Sequence, residues 1–171
     1  MHLTGESMAF SKKRDFTGIS DEECALMAFN RIIRSVSACE QSSTKMRRKL
    51  QESGYPEAAI DEAIAKALRI GAIDDKRYSE CLIRTSIASG KGLRFALDEI
   101  RSLGIDPDTL ESYSEHMGQG EEAEIERALE YLARHPSKAK DKRGAAYRKL
   151  VSKGYGYDVA STASRLYAEE R

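Results

Sequence analysis

Lys45-Met46-Arg47-Arg48-Lys49-Leu50-Gln51-Glu52-Ser53-Gly54-Tyr55 decides the fold, because it returns one hundred residues on in Ala146-Tyr147-Arg148-Lys149-Leu150-Val151-Ser152-Lys153-Gly154-Tyr155. Halfway between them stands Ile100-Arg101-Ser102-Leu103-Gly104-Ile105, so Gly54, Gly104 and Gly154 are spaced 50 residues apart. Each glycine follows an aliphatic residue by four positions (Leu50, Ile100, Leu150) and precedes a large apolar one. Outward from the turn, Ile32-Ile33-Arg34 aligns with Leu82-Ile83-Arg84 and Leu132-Ala133-Arg134, and Met46 with Ala96 and Ala146. Ile60, Leu110 and Ala160 hold the same register. A match kept without a gap across two helices and a turn is a tandem repeat.

One copy reads as three short helices. They are expected over 24–37, 42–53 and 56–70, then 75–88, 91–103 and 107–117, then 121–134, 138–153 and 157–169. The recurrent glycine sits just past the middle helix, where a left-handed backbone costs glycine little. The apolar residue after it can fold back onto the last turn. Asp106-Pro107 offers a cap and a proline at the first helical position, as Pro56 does after Tyr55. Asp74-Asp75 opens the second copy with negative charge at a helix N-terminus. Ser20 with Glu23 makes a capping box ahead of the apolar stripe Ala25, Leu26, Ala28, Phe29, Ile32, Ile33.

The expected organisation is therefore a flexible N-terminal leader over 1–23 and three-helix repeats over 24–73, 74–120 and 121–171. The fold class is all-α: tandem repeats of three-helix modules in an elongated, curved array. Helices of about 12 residues, each roughly 18 Å long, make the array of the order of 60 Å.

Composition agrees. The chain has 171 residues, 40% apolar, with three prolines and no tryptophan. That suits a helical protein with a core rather than a disordered chain or a turn-rich sandwich. Its apolar runs are too short for a transmembrane helix, and Lys12, Lys13 and Arg14 interrupt the N-terminus where a secretory signal would be apolar. Cys24, Cys39 and Cys81 lack metal or disulfide spacing and suit a reducing compartment, so the cytoplasm is expected. Cys24 and Cys81 lie near apolar stripes and read as buried.

Catalytic signatures are missing. His2, His116 and His135 are scattered, and neither HExxH nor GxSxG occurs. Gly90-Lys91-Gly92 lacks the phosphate-loop pattern and reads as an inter-helix turn, as does Gly154-Tyr155-Gly156-Tyr157. No catalytic residue, cofactor site or metal site is expected, and the chain does not read as an enzyme.

Charge is where the copies differ. Lys and Arg number 28 and so do Asp and Glu, but residues 24–73 sum to +3, 74–120 to −3 and 121–171 to +2. Arg48-Lys49 and Arg148-Lys149 lie off the apolar stripe at equivalent places, where the second copy has Asp98-Glu99. One basic cluster gathers Lys45, Arg47, Arg48 and Lys49. A larger one gathers Lys138, Lys140, Lys142, Arg143, Arg148, Lys149 and Lys153. Each is either a solvated helix face or a binding surface for phosphate backbone or an acidic protein. Phe95, Tyr147 and Tyr157 could stack on bases, although core packing is the commoner use of aromatics at helical spacing.

These residues resemble the RecX family, bacterial regulators of the RecA recombinase, over about residues 24–170. Lys45 to Tyr55 is similar to the family's "elrrKL..kG" helix and turn, and Gly71-Ala72-Ile73-Asp74-Asp75-Lys76-Arg77-Tyr78 to its "lgllDDeryA" motif. Gly90-Lys91-Gly92 with Arg94, Ile100 and Leu103-Gly104-Ile105 is similar to "GyGprrIrqeLrkkGI". Arg148-Lys149-Leu150 with Gly154-Tyr155 matches the third copy. The chain departs from the family in its neutral charge and in the Ser and Cys residues of the 35–43 stretch.

The resemblance implies a non-enzymatic protein that lies along the RecA–single-stranded-DNA filament. It implies inhibition of recombinase ATPase, strand exchange and co-protease activity, restraining recombination and the SOS response. Single-stranded or duplex DNA is a weaker partner, no membrane is involved, and the chain is expected to be a monomer. The alternative is a helical-repeat nucleic-acid-binding protein acting independently of RecA. The candidate partner-binding residues are Lys45, Arg48, Lys49, Lys91, Arg94, Lys142, Arg143, Arg148, Lys149 and Lys153.

Overall fold

The computed structural model describes residues 15–169, among which there is no β-strand. The helices are α1 (Asp21–Ala38), α2 (Ser43–Glu52), α3 (Glu57–Arg69), α4 (Asp75–Ala88) and α5 (Arg94–Ser102). After a 3-10 turn (Pro107–Thr109) come α6 (Glu111–Gly118), α7 (Gly120–Arg134), α8 (Lys142–Ser152) and α9 (Tyr157–Glu169). The chain divides into two compact units, one ending at Asp75 and one beginning at Lys76, so the second and third copies of the repeat share a unit.

In the first unit the Ser20 hydroxyl accepts the Glu23 N–H at 3.2 Å while the Glu23 carboxylate accepts the Ser20 N–H at 3.3 Å, the reciprocal capping box. The stripe that follows buries Ala28 and Ile32 with Met46 and Leu50 of α2 and Ile60, Ala63 and Ala67 of α3. Helix α1 begins at Asp21, three residues inside the expected leader. Phe16 adds its ring to that of Tyr55, with centroids 4.5 Å apart, and Ile19 packs beside Cys24, Ala25 and Ala59. The last part of the leader is thus folded onto the first copy, and residues 1–14 lie outside the described residues.

The second unit has one core around Ile83, Leu93, Ile100 and Leu110 and another around Leu132, Ala146, Leu150, Tyr155, Ala160 and Tyr167. The helix expected over 107–117 is broken: Asp106 and Pro107 open only a 3-10 turn, Leu110 is extended (φ −99°, ψ 129°), and α6 starts afresh at Glu111. Helices α5 and α8 also begin later than expected, at Arg94 and Lys142. Pro56 is the N-cap of α3 rather than its first helical residue. Cys24 is buried, but Cys81 is exposed on α4 and does not join a core.

The repeated glycine turn is the same in all three copies. Gly54, Gly104 and Gly154 have φ of 86°, 75° and 88°. The next residue's N–H reaches back five positions, Tyr55 to the Leu50 carbonyl at 3.2 Å, Ile105 to Ile100 at 3.3 Å and Tyr155 to Leu150 at 3.2 Å. This bond closes each helix end and turns the apolar residue inward. Tyr55 and Tyr155 are buried as a result.

Candidate partner-binding surface

The basic residues of the repeated helix serve two purposes. On α2, Arg48 is exposed, with Glu52 3.7 Å away, one turn along the helix. Its neighbour Lys49 donates to Gln41 Oε1 at 2.7 Å, tying α2 to the connection that precedes it. Arg47 is committed to α3, pairing with Glu57 and Asp61 at 2.6 Å each. The bond to Asp61, ahead of the partial burial that opposes it, raises the Arg47 pKa further above its ordinary value. Lys45 is half-buried and engaged within the fold.

The third copy repeats the division of labour. Arg148 is exposed, 4.0 Å from Asp141. Lys149 donates to the main-chain carbonyl of His135, the residue that ends α7. A cation on that carbonyl also offsets the negative end of the helix. Lys142 and Arg143 are exposed in the first turn of α8, and Lys153 is half-buried where the helix ends.

Between the second and third copies the Gly90-Lys91-Gly92 turn is pressed onto the Gly154-Tyr155 turn. The Gly92 N–H donates to the Lys153 carbonyl at 3.1 Å and the Arg94 N–H to the Gly154 carbonyl at 2.9 Å. The Tyr155 hydroxyl donates to the Gly90 carbonyl at 3.0 Å. A Cβ on Gly92 would lie 2.2 Å from the Tyr155 nitrogen, so the backbones touch with no room for a side chain. Burial, above all, pushes the Tyr155 phenol up to about 12. Within this joint only Lys91 is exposed and turned outward from the contact.

Arg94 is not a free surface cation. Its guanidinium donates to the Val151 carbonyl and to the Tyr157 hydroxyl, at 3.0 Å each. It also lies over the Phe95 ring at 4.7 Å and the Tyr157 ring at 5.2 Å. Both rings are exposed, Phe95 by 51% and Tyr157 by 58%, so neither serves the core. Beside Tyr157, an open hollow of about 590 Å³ is lined by Arg143, Tyr147, Asp158 and Ser161, among others.

Two acids act as distant caps. Asp75 accepts the Ser43 N–H at 2.7 Å and its hydroxyl at 2.6 Å, holding the start of α2 from the start of α4. Glu80 accepts the N–H groups of Glu111 and Ser112 at 2.9 and 3.0 Å, starting α6. Burial alone would raise the Glu80 pKa, but bonds from Ser112 and Glu111 and the nearby Arg84 hold it below the usual carboxylate range. His116 of α6 is buried against Arg127, and burial followed by that charge lowers its pKa. Among the described residues no group of three or more His, Cys, Asp and Glu is placed to hold a metal ion. Nor is any described helix long and apolar enough to cross a membrane.

Of the residues expected as contacts, Arg48 and Arg148 are exposed, while Lys49, Lys149 and Arg94 are engaged with the fold, which the sequence did not indicate. Nor did it indicate Asp75 and Glu80 as caps, since each acts on N–H groups 31 or 32 residues away. The repeat alone does not separate Lys49 and Lys149 from the exposed arginines, since Arg-Lys-Leu recurs whole at 48–50 and 148–150.

Residues 28–66 match the family model "RecX, first three-helix domain". A protein named Regulatory protein RecX from Haemophilus influenzae (strain PittEE) is 31% identical over 86 residues, half of this chain and 57% of the relative. The one from Clostridium botulinum (strain Alaska E43 / Type E3) is 27% identical over 150 residues, 82% of this chain and 68% of the relative. The chain thus spans little more than half the length of the first Haemophilus and Legionella relatives it matches. The crystal structure of RecX from Lactobacillus salivarius shares the fold with a TM-score of 0.57 at 23% identity, over 86% of this chain and all but 1% of that one. A second crystal structure, titled regulatory protein RecX, gives 0.58 at 18% identity, over 98% of this chain and 81% of that one.

Proposed function

We propose that this chain, which belongs to the RecX family of regulatory proteins, is a non-enzymatic regulator that binds the RecA–single-stranded-DNA filament. By binding, it restrains recombinase ATPase, strand exchange and co-protease activity, and so recombinational repair and the SOS response. It acts in the cytoplasm as a monomer.

The observation that carries this reading is the exposed arginine that recurs on an invariant helix-and-turn scaffold, Arg48 in the first copy and Arg148 in the third. A helical polymer presents the same surface at every protomer, so a chain with recurring contacts gains avidity without any one strong site. Arg48, Lys91, Lys142, Arg143, Arg148 and Lys153 are the proposed contacts. Lys45, Lys49, Lys149 and Arg94 hold or orient that surface from behind.

The test is DNA-dependent ATP hydrolysis by the cognate RecA, titrated with this chain. Inhibition with filament co-sedimentation is expected. Absence of both effects at micromolar concentration would overturn the reading. A nucleic-acid binder independent of RecA is the second reading, favoured by the seven Lys and Arg against one Asp in residues 138–153. It requires affinity for duplex DNA that falls steeply with salt, by about 0.9 log units per log salt for each phosphate neutralised.

A further inference from the structure

We propose that Phe95, Tyr157 and Tyr147, the first two held in place by Arg94 and the last beside Arg143, form a stacking platform for unpaired bases of a single-stranded nucleic acid.

Large aromatic side chains are usually withdrawn from water, and a chain that exposes two of them side by side has left apolar area unused by its own fold. Phe95 and Tyr157 are more than half exposed, at 51% and 58%. They come from different copies of the repeat, yet one guanidinium joins them: Arg94 lies 4.7 Å from one ring centre and 5.2 Å from the other. Arg94 is itself fixed by the Val151 carbonyl and the Tyr157 hydroxyl. Phe95 is backed by the Gly154 turn, where an added Cβ would meet its ring at 2.9 Å. The rings are therefore ordered before anything binds, so little rotamer freedom remains to be lost.

The platform continues past Tyr157 into the hollow lined by Arg143 and Tyr147. Rings and a basic side chain thus share this strip. That mixture suits bases, whose faces stack on the rings, with the phosphates drawn to Arg143. Charge complementarity selects nucleic acid over an apolar protein partner: residues 138–153 carry seven Lys or Arg and one Asp. Asp158 also lines the hollow and opposes the phosphates. Every base has a π face, so the platform reads no sequence, whereas a duplex hides those faces and offers only its backbone.

The experiment uses the full chain and no recombinase, so its failure is distinct from failure of the regulatory reading. Labelled oligothymidylate is titrated by anisotropy beside three controls: an abasic oligomer of equal length, a matched duplex, and polyglutamate. Oligothymidylate should bind more tightly than all three. Phe95→Ala and Tyr157→Ala should each weaken it about fivefold, and the pair about 25-fold, the low end for aromatic stacking. Phe95→Tyr keeps the ring and leaves the Arg94–Tyr157 bond in place, so it should bind like the parent, which separates stacking from damage to the fold. Arg143→Gln should reduce the salt slope by about one, and Asp158→Asn should tighten binding. Absence of oligothymidylate binding, equal binding of the abasic oligomer or polyglutamate, or parental affinity in the paired alanine variant with unchanged helicity would each overturn the proposal.

Discussion

Replacing Gly92 by alanine adds one methyl group where the second copy meets the third. That Cβ would lie 2.2 Å from the Tyr155 nitrogen, 2.3 Å from the Gly154 carbonyl oxygen and 2.3 Å from the Tyr155 Cα. All three are main-chain atoms, so no rotamer change relieves the clash and the two turns must separate. Separation breaks the bonds from Gly92 to Lys153 and from Arg94 to Gly154, and it removes the Tyr155 hydroxyl from Gly90. Overpacking costs about 1–3 kcal/mol, and each hydrogen bond contributes roughly 0.5–1.5 kcal/mol net. Some bonds re-form to water, so a loss of about 3–5 kcal/mol is expected. In a chain of this length that is a fall in Tm of about 6–20 °C. Thermal melts followed by circular dichroism measure it. Gly156→Ala is the control: like Gly92 it has no left-handed φ, but nothing lies within 4 Å of the added Cβ, so it reports the substitution without the clash. If Gly92→Ala were no less stable than Gly156→Ala, the tight joint would not exist as described.

Three further outcomes follow from the polar contacts. Asp75→Ala removes both bonds to Ser43 and should cost about 1–2 kcal/mol, the range for a lost helix cap, read as a shift of the urea midpoint. Glu80 has a depressed pKa in the fold, so its contribution is fully present above the ordinary carboxylate value of 4.5 and disappears as pH falls through the lower folded value. Thermal melts of Glu80→Gln should thus be less stable than the parent at neutral pH and converge with it in acid. Finally, Arg148→Glu and Lys149→Glu should separate in their effects. The first should weaken filament binding with little change in Tm, while the second should lower Tm because it abandons the His135 carbonyl. Equal Tm loss in both variants would refute that division.

What was legible in the sequence is what is local. The turns at Gly54, Gly104 and Gly154 are closed by bonds reaching back five residues, so a glycine, an aliphatic residue before it and an apolar one after it describe them fully. The Ser20–Glu23 box is local in the same sense. The break at Leu110 was hidden because α6 is started by a carboxylate on α4, and no motif near residue 110 records that. The inward duty of Lys149 was hidden because a basic run on a helix looks alike whether its lysine points to water or to the end of another helix. Aromatic spacing was equally mute: Tyr155 is buried, while Tyr157, two residues later, and Phe95 are exposed. Period and hydropathy fix which face a residue occupies only after the neighbouring copy is in place.

The difference in reach between the two kinds of contact at Gly154 has a kinetic consequence. The bond from Tyr155 to Leu150 closes within five residues, whereas the bonds from Gly92 and Arg94 span about 60. Helical turns form in about a microsecond or less, and closing the larger loop carries an entropic cost that rises with its length. The individual helices of the second unit should form before their joint does, and docking of the Gly90–Gly92 turn should set the folding rate. A chevron plot of Gly92→Ala places the joint in time: slower refolding puts it in the transition state, and faster unfolding alone puts it after.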